Sequence, residues 1–283
     1  MKTHRIAGGG GVQLHVVEAG NSSGGRPIVF IHGNSQSWLA WSRQLDSELA
    51  REHRLIAMDL RGHGFSDKPR DAYGDSRLWA DDVRAVIDVL NLDRPVLCGW
   101  SYGFLVILDY IRHYGEDRVG GIHIVGGISK LGSDAAMSVI TQEFLSLAPG
   151  LFATDVEESV RGLESFLRKF FVQQPSASDF YLMLGYIVSV PPHVRQALLS
   201  RAIDNDDLLA RIHKPVLITH GAKDAIVTLE AVDQHTAGIP HAQAHIMPNA
   251  GHAPFWEDAA DFNQRLNTFV EMCGAVTTAG PAV

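Results

Sequence analysis

Apolar and polar positions divide the chain into short apolar runs separated by longer stretches of helical period. Residues 14–18 read as a strand, and residues 27–32 as a strand apolar on both faces. Further strands are expected at 54–59, 95–98, 119–125, 215–219 and 244–247. Helices are expected at 38–49, 78–90, 102–112 and 258–272. In the second of these, Leu78, Val83, Val86, Ile87 and Leu90 share one face, which leaves Asp81, Asp82 and Arg84 elsewhere. Continuous apolar strands alternating with helices predict an α/β fold, a mostly parallel sheet covered on both sides. Ligands of such sheets bind beyond the carboxyl ends of the strands.

The alternation stops between residues 129 and 213, too long an interval for a simple connection. Its helical texture and its large apolar residues, among them Phe144, Phe166, Phe170, Phe180, Tyr181 and Tyr186, predict a helical cap over the strand ends. The expected organisation is therefore a core of residues 1–128 and 214–273, a cap of 129–213, and a flexible tail of 274–283. Gly8 to Gly11 do not form a phosphate loop, because a strand-like run rather than a helix follows them.

Composition narrows the function. A chain of 283 residues that is 46% hydrophobic and carries a net charge of −8 has no basic footprint for nucleic acid or anionic membranes. No run reaches membrane-spanning length, and a cytoplasmic location is expected. Cys98 and Cys273 lie far apart and suggest no disulfide framework.

The chemistry concentrates at strand ends. Gly99-Trp100-Ser101-Tyr102-Gly103 follows a strand and opens a helix, the setting in which a serine is held exposed on a sharp turn. A serine hydroxyl needs a base, and the base an orienting acid. Asp224 follows one late strand and His252 the last, giving the order Ser101, Asp224, His252. The loop after 119–125 offers no close carboxylate, Asp134 being the first. Backbone donors for an oxyanion are expected from the amides of Tyr102 and Asn34. His241 and His245 lack the glutamate of a metalloprotease helix, so no metal is expected, and no organic cofactor is required.

His32-Gly33-Asn34, Asp59-Leu60-Arg61-Gly62-His63-Gly64-Phe65-Ser66, the Ser101 pentapeptide, Asp224 and Gly251-His252 together resemble the α/β-hydrolase family. The resemblance runs from about residue 14 to 270. It implies the α/β-hydrolase fold: about eight strands with one antiparallel near the start, and a cap after the sixth. Haloalkane dehalogenases and soluble epoxide hydrolases resemble the stretch from Asp59 to Pro69 but use an aspartate nucleophile. Ser101 in that place points to acyl transfer.

The expected function is hydrolysis of a small-molecule carboxylic ester or lactone through an acyl-enzyme. Enol-lactonase, acyl-homoserine-type lactonase and cofactor-free haloperoxidase or perhydrolase chemistry are the alternatives. A slow-turnover ligand receptor is the alternative from another class. Trp38, Phe144, Phe170, Phe180, Tyr181 and Tyr186 are the expected substrate-binding residues, and the pocket they imply is apolar.

Overall fold

A computed structural model describes residues 1–275 and shows ten strands, eight of them in one sheet. The strands are β1 (Lys2–Ala7), β2 (Gln13–Gly20), β3 (Gly25–Ile31), β4 (His53–Met58), β5 (Val96–Trp100), β6 (Gly121–Val125), β7 (Lys130–Leu131), β8 (Ile203–Asp204), β9 (Val216–Gly221) and β10 (Gln243–Met247). The large sheet runs β1-β2-β4-β3-β5-β6-β9-β10, and all of its pairings are parallel except those that β2 makes with β1 and β4. β7 and β8 form a separate antiparallel ribbon.

The central strands are apolar on both faces, and β5, β6 and β9 are buried at every position. Their carboxyl ends are in step: Ile31 pairs with Gly99, Trp100 with Val125, and Val125 with Thr219. This register gathers the loops that follow β3, β5, β6 and β9 at one edge of the sheet.

The helices are α1 (Ser42–Leu45), α2 (Leu49–Glu52), α3 (Ser76–Val89), α4 (Tyr102–Tyr114), α5 (Asp134–Met137), α6 (Gln142–Phe152), α7 (Val156–Arg168), α8 (Ala177–Val188), α9 (Pro192–Leu199), α10 (Asp206–Leu209), α11 (Glu230–Gly238), α12 (Pro254–Glu257) and α13 (Ala259–Ala275). α4 is buried from Tyr102 to Ile111, as expected of a helix that is apolar all round. The interval expected as a cap holds α5 to α9 between the two strands of the β7–β8 ribbon. Most of the expected tail lies outside the described residues.

Four expectations need correction. β1 has no counterpart among the expected strands, because its burial pattern leaves only Ile6 inside. The helix expected at 38–49 is broken into a 3-10 turn at Trp38–Trp41 followed by α1 and α2. The Ser47 hydroxyl donates to the Gln44 carbonyl and accepts from the Leu49 amide, which offers the backbone an alternative to a continuous helix. Asp82 does not face solvent. It is fully buried in a two-point ion pair with Arg61, with contacts of 2.7 and 2.8 Å, and also accepts from the Gly9 amide. Gly8 to Gly11 therefore close a turn against α3. Finally, the strand expected at 95–98 continues to Trp100, so the chain reaches Ser101 without an intervening loop.

Candidate active site

The turn between β5 and α4 leaves little room. Ser101 has φ 53° and ψ −116°, a left-handed backbone rare for a residue with a Cβ, at a cost of about 1–3 kcal/mol. A Cβ at Gly99 would meet the Gly103 backbone at 2.8 Å, and one at Gly103 would meet the Ile31 carbonyl at 2.3 Å. Only glycine lets strand and helix close to this distance. The Ser101 amide is held by the Val125 carbonyl at 2.9 Å, which fixes the turn to β6.

Asp224 and His252 arrive from the loops after β9 and β10. His252 Nδ1 lies 2.8 Å from Asp224 Oδ2, and both side chains are 2% exposed. An ionised carboxylate only accepts hydrogen bonds, so Nδ1 carries the proton and Nε2 is left with a free lone pair. The other carboxylate oxygen of Asp224 accepts from the amides of Ile226 at 2.7 Å and Val227 at 3.0 Å. Burial pushes the Asp224 carboxyl upward. Its interaction with His252, a hydrogen bond among them, and the backbone amide of Val227 outweigh burial and hold it below the usual carboxylate range.

His220, at the end of β9, went unassigned in the sequence although it adjoins the Asp224 segment. Its Nε2 donates to the Val227 carbonyl at 3.0 Å and lies 3.4 Å from Asp224 Oδ2. Burial lowers its pKa despite the adjacent carboxylate. It therefore packs against Asp224 as a neutral ring.

The His252 loop is pinned on several sides. Trp100 Nε1 donates to the His252 carbonyl at 2.8 Å, and the rings of Trp100 and Phe170 lie 5.5 and 5.4 Å from the imidazole. Glu257 accepts from Gly251 beside the histidine and from Val172 and Gln173 in the cap interval, tying the two segments together.

The segment from His32 to Trp38 is ordered from below by neutral histidines and one carboxylate. His32 Nδ1 donates to the Gly33 carbonyl at 2.8 Å while its Nε2 accepts from Leu60 at 3.0 Å. His63 Nδ1 donates to the Arg61 carbonyl at 2.9 Å, and its Nε2 accepts from the Ser35 amide at 3.1 Å. Each ring needs one unprotonated nitrogen for this pattern, and burial supplies it, pushing His63 down to about 3 and lowering His32 as well. Asp59 accepts from the Trp38 and Phe65 amides at 2.8 and 3.0 Å. A Cβ at Gly33 would stand 3.1 Å from Ser101 Cβ, so this segment passes directly over the serine. Asn34 and Tyr102 line the same cavity as Ser101 and His252. The Tyr102 amide opens α4, where helix geometry provides no acceptor within the helix.

That cavity has a volume of about 180 Å³ and is walled chiefly by Met137, Ile140, Phe144, Leu145, Phe166 and Phe170. Of the expected substrate-binding residues, Phe144 and Phe170 line it. Trp38 does not: its amide is bound to Asp59 and its ring lies 6.3 Å from that of His15. α8 turns Phe180, Met183 and Ile187 inward, so Tyr181 on the opposite side is 70% exposed. Phe180 lies under the Arg168 guanidinium at 4.5 Å, and Tyr186 borders a separate small void. His241 and His245 are held apart by different partners, Lys214 and Asp261. Among the described residues no cluster of His, Cys, Asp or Glu is arranged to hold a metal ion, and no helix is long and apolar enough to cross a membrane.

Known proteins resemble this chain over nearly its whole length. The structure of RhEst1, an esterase from Rhodococcus sp. ECU1013, superposes with a TM-score of 0.91 at 36% identity, covering 96% of this chain and 99% of that one. The AB hydrolase superfamily protein YisY of Bacillus subtilis is 29% identical over 91% of this chain and 95% of its own length. The 2-hydroxy-6-oxo-2,4-heptadienoate hydrolase of Pseudomonas putida is 28% identical over 94% of each chain. A family model described as alpha/beta hydrolase fold matches residues 26–259, spanning the strained serine turn and the loops that bring Asp224 and His252 together. The chain belongs to the alpha/beta hydrolase family.

Proposed function

We propose that this protein hydrolyses uncharged carboxylic esters or lactones through an acyl-enzyme on Ser101. The observation that carries the reading is the 2.8 Å contact of His252 with Asp224 beside a cavity shared with the strained Ser101. In this reading His252 Nε2 takes the proton as Ser101 Oγ attacks the carbonyl carbon, and Asp224 stabilises the imidazolium. The tetrahedral oxygen receives the amides of Asn34 and Tyr102. His252 then returns the proton to the leaving alkoxide, and water attacks the acyl-enzyme by the same route to release the acid. Apart from the attacking water, every group used belongs to the protein.

Substrate class follows from the wall. Besides His252, no residue lining the cavity is ionisable in the physiological range, so nothing there compensates a charged acyl group. An anionic dienoate, the kind of substrate named for the Pseudomonas putida relative, would enter without a cationic partner. This favours a neutral ester over such an anion. The test is steady-state turnover of a panel of chromogenic esters and lactones of graded chain length. Sustained turnover supports the reading, whereas a single stoichiometric burst would indicate a receptor-like protein.

Two expected results follow. On that panel, kcat/KM rises about fourfold per methylene until the cavity is filled, from about 0.8 kcal/mol for each buried CH₂. Phe144→Ala and Phe170→Ala move the optimum to longer chains, whereas Phe180→Ala leaves it in place, because Phe180 does not line the cavity. Equal responses at all three positions would show that the wall does not set chain length.

The pH profile of kcat/KM should show an acid limb of unit slope. Protonated His252 has no lone pair to accept the serine proton. Asp224, its carboxyl held below the usual range, stays ionised along this limb, so one proton governs it. A slope of two would mean that the carboxylate titrates with the imidazole.

A further inference from the structure

Gln36 is 1% exposed, and its carboxamide Nε2 is buried without a hydrogen-bond partner. Several buried polar side-chain atoms among the described residues share that condition, but of these residues only Gln36 lines the cavity that holds Ser101 and His252. The position is not loose. The Gln36 amide donates to the Gly33 carbonyl at 3.3 Å, and the preceding Ser35 has φ 61° with its amide bound to His63. Gln36 also borders the small void under Phe170, Met183 and Tyr186, so it stands between two apolar spaces. Met137, Ile140, Phe144 and Phe166, which line the same cavity, contribute no side-chain oxygen. A buried donor left unpaired shifts an equilibrium by about tenfold to a hundredfold. An acceptor brought by the ligand restores that loss.

We propose that Gln36 is a specificity residue whose Nε2 donates to a second, neutral oxygen of the substrate, so that the preferred ester or lactone carries an ether or keto oxygen besides its scissile group. The turnover arm of the test rests on the ester-hydrolase reading, while the binding arm does not.

The test uses pairs of esters in which one methylene of the acyl or alkoxy chain is replaced by an ether oxygen at successive positions. For each pair, the ratio of kcat/KM for the oxygen-containing ester to that for its all-carbon partner is measured in wild type and in Gln36→Leu. Intrinsic reactivity cancels in the comparison of the two ratios. At one position of the oxygen, the ratio is expected to fall about tenfold in Gln36→Leu. Gln36→Met, of similar length and also without a donor, should reproduce the fall and covers the case in which the leucine variant folds poorly.

A second arm follows thermal unfolding of Ser101→Ala with each ester present. The oxygen-containing partner should give the larger rise in Tm, and Gln36→Met in that background should remove the difference. If wild type turns over none of the esters, the hydrolase reading fails and this arm alone decides the role of Gln36. Ratios that are the same in wild type and both variants at every oxygen position, with equal shifts in Tm within each pair, overturn the proposal.

Discussion

Ser101→Ala is expected to lower kcat by about 10⁶-fold while leaving the fold intact, the scale seen when a serine nucleophile is removed from an otherwise complete site. Alanine lacks the hydroxyl that would form the acyl bond, and the backbone amides proposed to hold the oxyanion remain in place. The residual rate should be that of water attacking a bound, polarised ester. Stability should change little, because the strained turn is set by Gly99, Gly103 and the Val125 carbonyl rather than by the serine hydroxyl. Measurement of kcat together with Tm checks both halves. A variant that retains more than about one-hundredth of wild-type kcat would place the nucleophile elsewhere.

Asp224→Asn is the second large effect, an expected loss of about 10⁴-fold in kcat with a small change in KM. The amide keeps the size of the carboxylate but gives up an acceptor. If its NH₂ faces His252 Nδ1, the imidazole is driven to the tautomer that carries its proton on Nε2, where the serine proton must go. His220 does not substitute for the lost acid, because its own Nε2 is committed to the Val227 carbonyl. The change should appear in kcat, since Asp224 does not line the cavity. An increase confined to KM would argue against this role.

The parts of the fold legible in the sequence are those whose pattern has a single physical solution. Runs such as Val96 to Trp100 and Val216 to Ile218 are apolar at nearly every position, which is compatible with a central strand and little else. Once the parallel sheet is inferred, Ser101, Asp224 and His252 must emerge on one edge, and the structure brings the last two into contact.

What was missed depended on tertiary partners. β1 carries one buried side chain and pairs only with β2, so its sequence contains almost no burial signal. Asp82 looks like a solvated helix residue until Arg61, fully buried itself, is seen opposite it. In the cap interval the aromatic residues advertise an apolar cluster, but packing decides which of them meet the cavity, and no residue of α8 lines it. The rotation of α8 leaves Tyr181 exposed and Phe180 against Arg168. Gln36 and His220 carried no signal of their own; only packing shows one as an unpaired donor and the other as a neighbour of Asp224.

The covalent bond expected at Ser101 Oγ is tested most directly by intact-protein mass spectrometry after reaction with an alkyl aryl phosphonate, followed by peptide mapping. A single adduct per chain is expected on the peptide containing Ser101, with loss of ester turnover in proportion to labelling and no adduct in Ser101→Ala. An adduct mapped to a different serine, or full ester turnover by protein fully labelled at Ser101, would contradict it.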